Sequence, residues 1–396
     1  MTLTLLLDLD DTLLNTNQDV FFPIYLQTLA TNFAPDIDPA LVGRALMAGT
    51  EAMFQNEDFS RTLREVFEDV FCPQVGLNRE ELDVHIQEFY SKVFPTLQKH
   101  TSQRAETKPF IDWAFSQGFR IVIATDPILP KAATWHRIRW AGLDPEQFDF
   151  ISTFDNSHFT KSSVSYYAEM LGRIGWQEGP VLMVGNDMQR DILPAKKLGL
   201  ETFFVEAESG STSGFEAGQH GTLLDLRRYL ESVNMESLIP SYKSREATLA
   251  ILNSTPAVMD GFLRKLSPDS WRRKPFAGEW TATEMICHLR DTEREIHQMQ
   301  LKLFEKQGVP FIPRPDTSVW ASQRDYLHED GLSALKDFIE ARREMMETLN
   351  GVSETGWNQK ARHAIFGPTY FSEVAGFFAE HDRLHVHQML GILKNI

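Results

Sequence analysis

The chain predicts a doubly wound α/β parallel sheet carrying a helical insertion, followed by an all-α four-helix bundle, and three observations carry that reading. Short apolar runs of strand length alternate with helical segments up to about residue 230. Three of those runs stop on polar clusters, as buried parallel strands do where their carboxyl ends open into a site. Beyond about residue 245, four long segments with three- and four-residue apolar spacing take over.

A length of 396 residues favours two domains, each large enough to bury a core. The net charge of -16 and a sequence pI near 5.2 argue against nucleic-acid and anionic-membrane partners. The two cysteines, Cys72 and Cys287, lie far apart, which points to a reducing compartment without a disulfide framework. The opening apolar stretch lacks a basic flank and meets Asp8 too soon for a signal peptide, and no segment is apolar for long enough to span a bilayer. A cytoplasmic protein is expected.

The first strand is Leu3 to Leu7, and it ends on Asp8-Leu9-Asp10-Asp11-Thr12. From Leu13 to about Lys108 the pattern is helical, in segments such as Ala40 to Phe54, Phe59 to Phe71 and Glu80 to Leu97, with Pro23, Pro35, Pro39, Pro73 and Pro95 as punctuation. Strands follow at Arg120 to Thr125, Phe150 to Thr153, Val181 to Val184 and Glu201 to Val205. Helices separate them at about Pro130 to Gly142, Ser163 to Ile174 and through Ala195 to Gly199, and Thr222 to Leu230 closes the region.

The strand ends carry a matched polar set: Asp8 and Asp10, then Thr125, then Asp187 with Asp191, while Lys161 precedes a helix. Alternation along an extended backbone puts Asp8 and Asp10 on one side, close enough to share a cation or to divide nucleophile and acid roles. An isolated DxDxT is as readily a polar turn capping a helix, and a lone lysine or threonine is usually a surface group. Together, at successive strand ends, they supply what a phosphoryl group needs: a nucleophile, a cation site, a hydroxyl and a fixed ammonium.

Over residues 1–233 these motifs resemble the haloacid dehalogenase-like hydrolase superfamily, with its Rossmann-like sheet and a helical cap, here about residues 15–107. The resemblance rests on Asp8 to Thr12, Ala124-Thr125-Asp126, Lys161, and Gly185-Asn186-Asp187 through Asp191. It implies that Asp8 is the nucleophile forming an aspartyl phosphate and that Asp10 is the acid and then the base. Thr125 and Lys161 would hold phosphoryl oxygens. Mg²⁺ would sit between Asp8, the Asp10 carbonyl and Asp187, and Asp191 would complete the acidic shell or orient Lys161. An acid at Asp10 favours a phosphatase over a dehalogenase. The sequence departs from the family at three places: Ser162 stands where Pro is frequent, Asn186, a possible stand-in for Asp187 as ligand, where many relatives have the first Asp, and Asp126 where Asn is common.

Residues 234–244 lack periodicity and read as a linker, and the bundle takes 245–396. Its helices are expected at about Arg245 to Leu263, Thr283 to Lys306, Gly331 to Leu349 and Ser372 to Lys394, with an irregular connection from Val309 to Trp320. Thr281 and Glu284 form a capping box for the second helix. His381 and His385 share one face of the last helix as HxxxH, and His288 falls among Met285, Leu289 and Ile296 on an inward stripe. Three neutral imidazoles with open positions suit Zn²⁺, Ni²⁺ or Fe²⁺.

Gly278 to Ala282, His288-Leu289 and Glu380 to Gln388 also resemble the DinB-like four-helix family. That resemblance implies a metal triad of His288, His381 and His385, leaves out His387, and makes a homodimer plausible. The expected function is a Mg²⁺-dependent phosphatase acting on a small phosphorylated metabolite and fused to a metal-binding bundle. The alternatives are a metal-dependent thiol transferase seated in the bundle and a ligand sensor without turnover.

Overall fold

A computed structural model of the chain describes residues 2–176, 178–206, 219–305 and 308–396. Most of the Gly- and Ser-rich stretch from Glu206 to Gly221 therefore lies outside the described residues. The chain forms two compact units, one of residues 1–170 with 178–241 and the other of residues 171–177 with 242–396.

The first unit is built on a six-stranded sheet. Its strands are β1 (Thr4–Leu7), β2 (Arg120–Ile123), β3 (Phe150–Ile151), β4 (Val181–Gly185), β5 (Glu201–Val205) and β6 (Gln219–Gly221), in the order β3-β2-β1-β4-β5-β6. Every neighbouring pair is parallel. Both faces of β1 are covered, and Leu5, Leu6 and Leu7 are fully buried, each contributing about 1.5–3 kcal/mol of transfer energy. That is why the strand reads as a continuous apolar run. β6 was not expected, because the three residues Gln-His-Gly carry none of the β-branched signal of an inner strand.

Between β1 and β2 lie α1 (Gln18–Asn32), α2 (Pro39–Phe54), α3 (Leu63–Val75) and α4 (Arg79–Glu88). Thr62 with Glu65 and Asn78 with Glu81 form reciprocal capping boxes that start α3 and α4. Pro23 and Pro73 lie inside α1 and α3 rather than between helices. The expected helix Glu80 to Leu97 changes winding at Phe89, where a π turn (Phe89–Val93) and a 3-10 turn (Phe94–His100) replace it. Two strands of two residues, Leu14–Asn15 and Ser102–Gln103, pair antiparallel at the root of the insertion. A ladder that short leaves no period to read.

The remaining helices of the sheet region are α5 (Thr107–Ser116), α6 (Lys131–Trp140), α7 (Val164–Arg173), α8 (Leu193–Leu198) and α9 (Leu223–Ser232). In the second unit α10 (Arg245–Leu263), α11 (Ala282–Thr292), α12 (Gly331–Gly351) and α13 (Phe371–Leu393) form the bundle, α10 and α11 each packing on both α12 and α13. α11 starts on the Thr281/Glu284 capping box and runs into a π turn, Glu293–His297. A small sheet of Phe311–Ile312, Lys360–His363 and Gly367–Tyr370 also belongs to this unit, where only helices were expected. Among the described residues, no helix is long and apolar enough to cross a membrane.

Candidate functional site

Register brings the polar strand ends of the first unit together. Leu7 pairs with Ile123 on one side and with Val184 on the other. One step further, the Asp8 N–H donates to Val184 O at 2.9 Å and the Ala124 N–H donates to Leu7 O at 2.7 Å. Asp8 thus stands between the segments carrying Thr125 and Asn186. The turn beyond it is tight, with Asp11 left-handed at φ 56°, and the buried Arg104 guanidinium ties the Asp11 carbonyl down at 2.7 Å.

Asp8, Asp10, Thr125, Asp126, Lys161, Asn186, Asp187 and Asp191 line one cavity of about 420 Å³. Lys161 Nζ lies 2.6 Å from Asp8 Oδ1 and also contacts Asp191 Oδ1. Burial opposes its charge, yet Asp191 and Asp8 outweigh burial and hold the ammonium above its ordinary value. Burial likewise pushes the Asp191 carboxyl up to about 7, with Lys161 pulling it down and Asp8 adding to the rise.

The loop before Lys161 is fastened by a buried acid that its spacing did not single out. Glu169 on α7 accepts from the His158 backbone N–H at 3.0 Å and meets His158 Nδ1 at 2.7 Å. These two bonds tie the loop three residues ahead of Lys161 to α7.

Asp10 is buried, and its Oδ1 accepts from Thr16 Oγ1 at 2.6 Å and from Arg137 Nε at 3.1 Å. Arg137 also contacts Asp10 Oδ2. This guanidinium comes from α6, and burial drives it down to about 10 while Asp8 opposes the fall. Nothing in its local sequence marks Arg137, because its partner lies 127 positions away.

The two carboxylates expected beside a cation, Asp187 and Asp191, each have protein partners. Asp187 Oδ1 caps the following turn by accepting from Gln189 N–H at 2.8 Å and Arg190 N–H at 3.0 Å, and its Oδ2 takes Arg190 Nε at 2.8 Å. Asp191 Oδ2 accepts from the Asp187 N–H at 2.9 Å while Oδ1 meets Lys161. Asn186 lies against the acid segment. One end of its amide lies 3.2 Å from Asp8 Oδ2, 3.1 Å from the Asp10 carbonyl oxygen and 3.2 Å from Thr12 Oγ1. With the nitrogen turned inward, that end donates to all three. With the oxygen turned inward, it lies about 3 Å from each of the two acid-segment oxygens, the spacing of adjacent ligands on an octahedral ion bound at about 2.1 Å. The set therefore fits a small hard cation through Asp8, the Asp10 carbonyl and Asn186.

The extra charge at Asp126 is neutralised locally. Its Oδ2 lies 3.3 Å from Arg190 Nη1, and burial raises its carboxyl while Lys161 and Arg190 restrain the rise.

In the second unit His288, His381 and His385 form a cluster that could hold a metal ion, their ligand nitrogens all within 4.8 Å of one another. The His381 Nε2 lies 3.0 Å from His385 Nε2 and 3.4 Å from His288 Nε2. His385 Nδ1 meets Gln388 Oε1 at 2.7 Å, which places the proton on Nδ1 and leaves the Nε2 lone pair facing the other rings. Burial, followed by the neighbouring rings, presses His288 down to about 3 and His385 down to about 2. Three neutral imidazoles whose Nε2 atoms converge fit a transition metal. His387 turns away and meets the Gly175 carbonyl at 2.8 Å.

Behind the cluster, Arg342 is fully buried and pairs with Glu293 through Nε at 2.5 Å and with Asp382 through Nη1 at 2.7 Å. Glu293 also accepts from His297 Nδ1 at 3.0 Å. Charged residues inside a helix pattern read as solvent-facing, which hides this network from sequence reasoning.

A family model described as haloacid dehalogenase-like hydrolase matches residues 5–205. The chain belongs to the haloacid dehalogenase-like hydrolases. A DinB superfamily model matches residues 251–389, the bundle region. Over 93 residues this hydrolase is 30% identical to the glyceraldehyde 3-phosphate phosphatase of Methanothermobacter thermautotrophicus, a stretch covering 24% of the chain and 40% of that relative's length.

Similar solved structures include a haloacid dehalogenase-like phosphatase from Thermococcus onnurineus, at 18% identity and a TM-score of 0.40, covering 58% of this chain and 98% of that one. A 2-haloacid dehalogenase from Pseudomonas syringae pv. Tomato DC3000 matches at 17% identity and a TM-score of 0.41, covering 58% and 99%. The four-helix bundle YfiT from Bacillus subtilis matches at 16% identity and a TM-score of 0.35, covering 39% and 88%.

Proposed function

We propose that this hydrolase cleaves a small phosphomonoester with Mg²⁺ through a phosphorylated Asp8. The observation that carries the reading is the Lys161 ammonium 2.6 Å from Asp8 Oδ1 in a cavity that Thr125, Asp10 and Asn186 also line. Asp8, the Asp10 carbonyl and Asn186 would hold the ion. Bound there, Mg²⁺ supplies charge neutralisation of the phosphoryl oxygens and aligns them for in-line attack.

Asp8 Oδ2 faces Asn186 and Thr12, and Oδ1, beside the Lys161 ammonium, attacks phosphorus once the ammonium has turned to the phosphoryl oxygens. A bond forms between Oδ1 and phosphorus as the ester P–O bond breaks, and Asp10 gives its proton to the departing alkoxide. Asp10, again a carboxylate, takes a proton from water, which attacks phosphorus, frees Asp8 and releases phosphate. Lys161 and Thr125 hold the non-bridging oxygens through both steps. Asp191 keeps Lys161 in place.

Arg137 contacts both oxygens of Asp10, so this carboxyl must loosen from the guanidinium to carry a proton as the acid. Phosphate release from small phosphomonoesters, measured with Mg²⁺ and with chelator, tests the reading; equal rates in the two would end it.

For the bundle we infer a site for Zn²⁺, Ni²⁺ or Fe²⁺ on His288, His381 and His385, supported by the three converging Nε2 atoms. A thiol-transfer activity seated there would vanish with His381→Ala while phosphate release continued.

A further inference from the structure

A second cavity of about 370 Å³ lies within the helical insertion of the first unit, and it shares Gln18, Asp19 and Arg190 with the cavity around Asp8. Its walls are mostly apolar, with Thr50 an exception: Phe22 and Leu26 from α1, Met47 and Phe54 from α2, and Phe67 and Phe71 from α3 are among them. Ile128, Leu129 and Pro130 close it from the loop that follows Thr125 and Asp126, so the wall begins a few residues from the phosphate-handling groups. The charged side chains of its lining, Asp19 and Arg190, stand among the residues that the two spaces share. Deeper in, Tyr25 and Tyr90 bond to each other through their hydroxyls at 2.6 Å, and burial holds both phenols neutral. Met47 and Phe54 remain exposed although they are large apolar residues on the lining.

We propose that this cavity receives the alcohol part of the substrate, so that the preferred substrate is the monophosphate of a hydrocarbon alcohol. The inference rests on the phosphatase reading above and adds the substrate class to it. Continuity at Gln18, Asp19 and Arg190 lets one molecule occupy both spaces, with its phosphate beside Lys161 and Asp8 and its chain among the phenylalanines. The volume falls in the range of small-molecule sites. A sugar or nucleoside in the same place would bury hydroxyls against Phe22, Leu26, Phe67 and Phe71, which offer no partner for them. An alkyl chain gains from the same walls through burial of apolar area.

The test compares n-hexyl phosphate, methyl phosphate and glucose 6-phosphate with the full chain and Mg²⁺. The expected kcat/KM for n-hexyl phosphate is at least tenfold above that for methyl phosphate, with glucose 6-phosphate no better than methyl phosphate. Turnover that is flat across the three, or that favours the sugar, overturns the inference and leaves the phosphatase reading standing. If none is turned over, the phosphatase reading fails, and calorimetric binding decides the cavity's role. At least tenfold tighter binding of n-hexyl than of methyl phosphate supports it; equal binding overturns it. Met47→Asp, an exposed position that tolerates charge, is expected to reduce the n-hexyl to methyl preference at least fivefold. An unchanged preference contradicts the assignment of the wall.

Discussion

The amide of Asn186 lies 3.2 Å from Asp8 Oδ2 and 3.1 Å from the Asp10 carbonyl oxygen, so the side chain at the proposed cation site is neutral. Ligand charge tunes the affinity of hard-cation sites. Asn186→Asp is therefore expected to lower the Mg²⁺ concentration for half-maximal phosphate release by roughly tenfold. Asp187→Asn should leave it nearly unchanged, because Asp187 serves Arg190 and the turn that follows. A Mg²⁺ titration in which Asp187→Asn weakens binding more than Asn186→Ala would reverse this assignment.

Lys161 sits between two carboxylates and is positioned by the loop that Glu169 secures. Lys161→Met is expected to cut kcat by roughly 10²–10³-fold, the usual cost of losing one charge-stabilising group. Far-UV circular dichroism should stay native. Glu169→Gln should lower kcat less and cost about 1–3 kcal/mol in urea unfolding, from a buried hydrogen-bond set left incomplete. Normal turnover in Lys161→Met would remove the lysine from the chemistry.

Arg137 and Asp10 form a buried pair in which each compensates the other. Arg137→Met should destabilise the first unit by about 3 kcal/mol, since a carboxylate is left without its cation. Adding Asp10→Asn should recover part of that loss, although this double variant should be inactive. Urea midpoints that simply add would show that the two side chains do not couple.

The depressed histidines of the bundle imply an acid-side loss of stability in metal-free protein. His288, held at about 3, and His385, held at about 2, both lie below the ordinary 6.5. Between the folded value and 6.5 the unfolded chain binds the extra proton, so their contribution is complete above 6.5 and drains away as pH falls. Each unit within that window costs about 1.4 kcal/mol per histidine. Urea midpoints of EDTA-treated protein at pH 7 and pH 5 check this, and His288→Gln should flatten the slope. Identical pH dependence in the two proteins would contradict the buried, neutral assignment.

Much of the site could be read before any coordinates, for a physical reason. A strand buried on both faces is a pure apolar run, so the polar residues after Leu7, Ile123 and Gly185 stand out as the open end of the sheet. Lys161 followed because its role needs only a loop ahead of a helix. Between Asp187 and its possible stand-in Asn186 the sequence could not choose, because adjacent residues at a strand end face opposite ways and only the register decides which turns inward. Arg137, Glu169 and Arg342 were hidden for another reason: each is a charged residue on a helix, where pattern alone predicts solvent. The partners of Arg137 and Arg342 come from distant segments, and that of Glu169 from the loop before its own helix. The short strands at Gln219–Gly221 and Lys360–His363 escaped because too few residues repeat.

The central claim is that Asp8 carries the phosphoryl group. Rapid acid quench of a single turnover with a ³²P-labelled phosphomonoester, followed by peptide mapping, tests it most directly. The label is expected on the peptide containing Asp8, with none in Asp8→Asn and with accumulation in any Asp10→Asn protein that still reacts. Label on another residue, or full turnover by Asp8→Asn, would contradict the account.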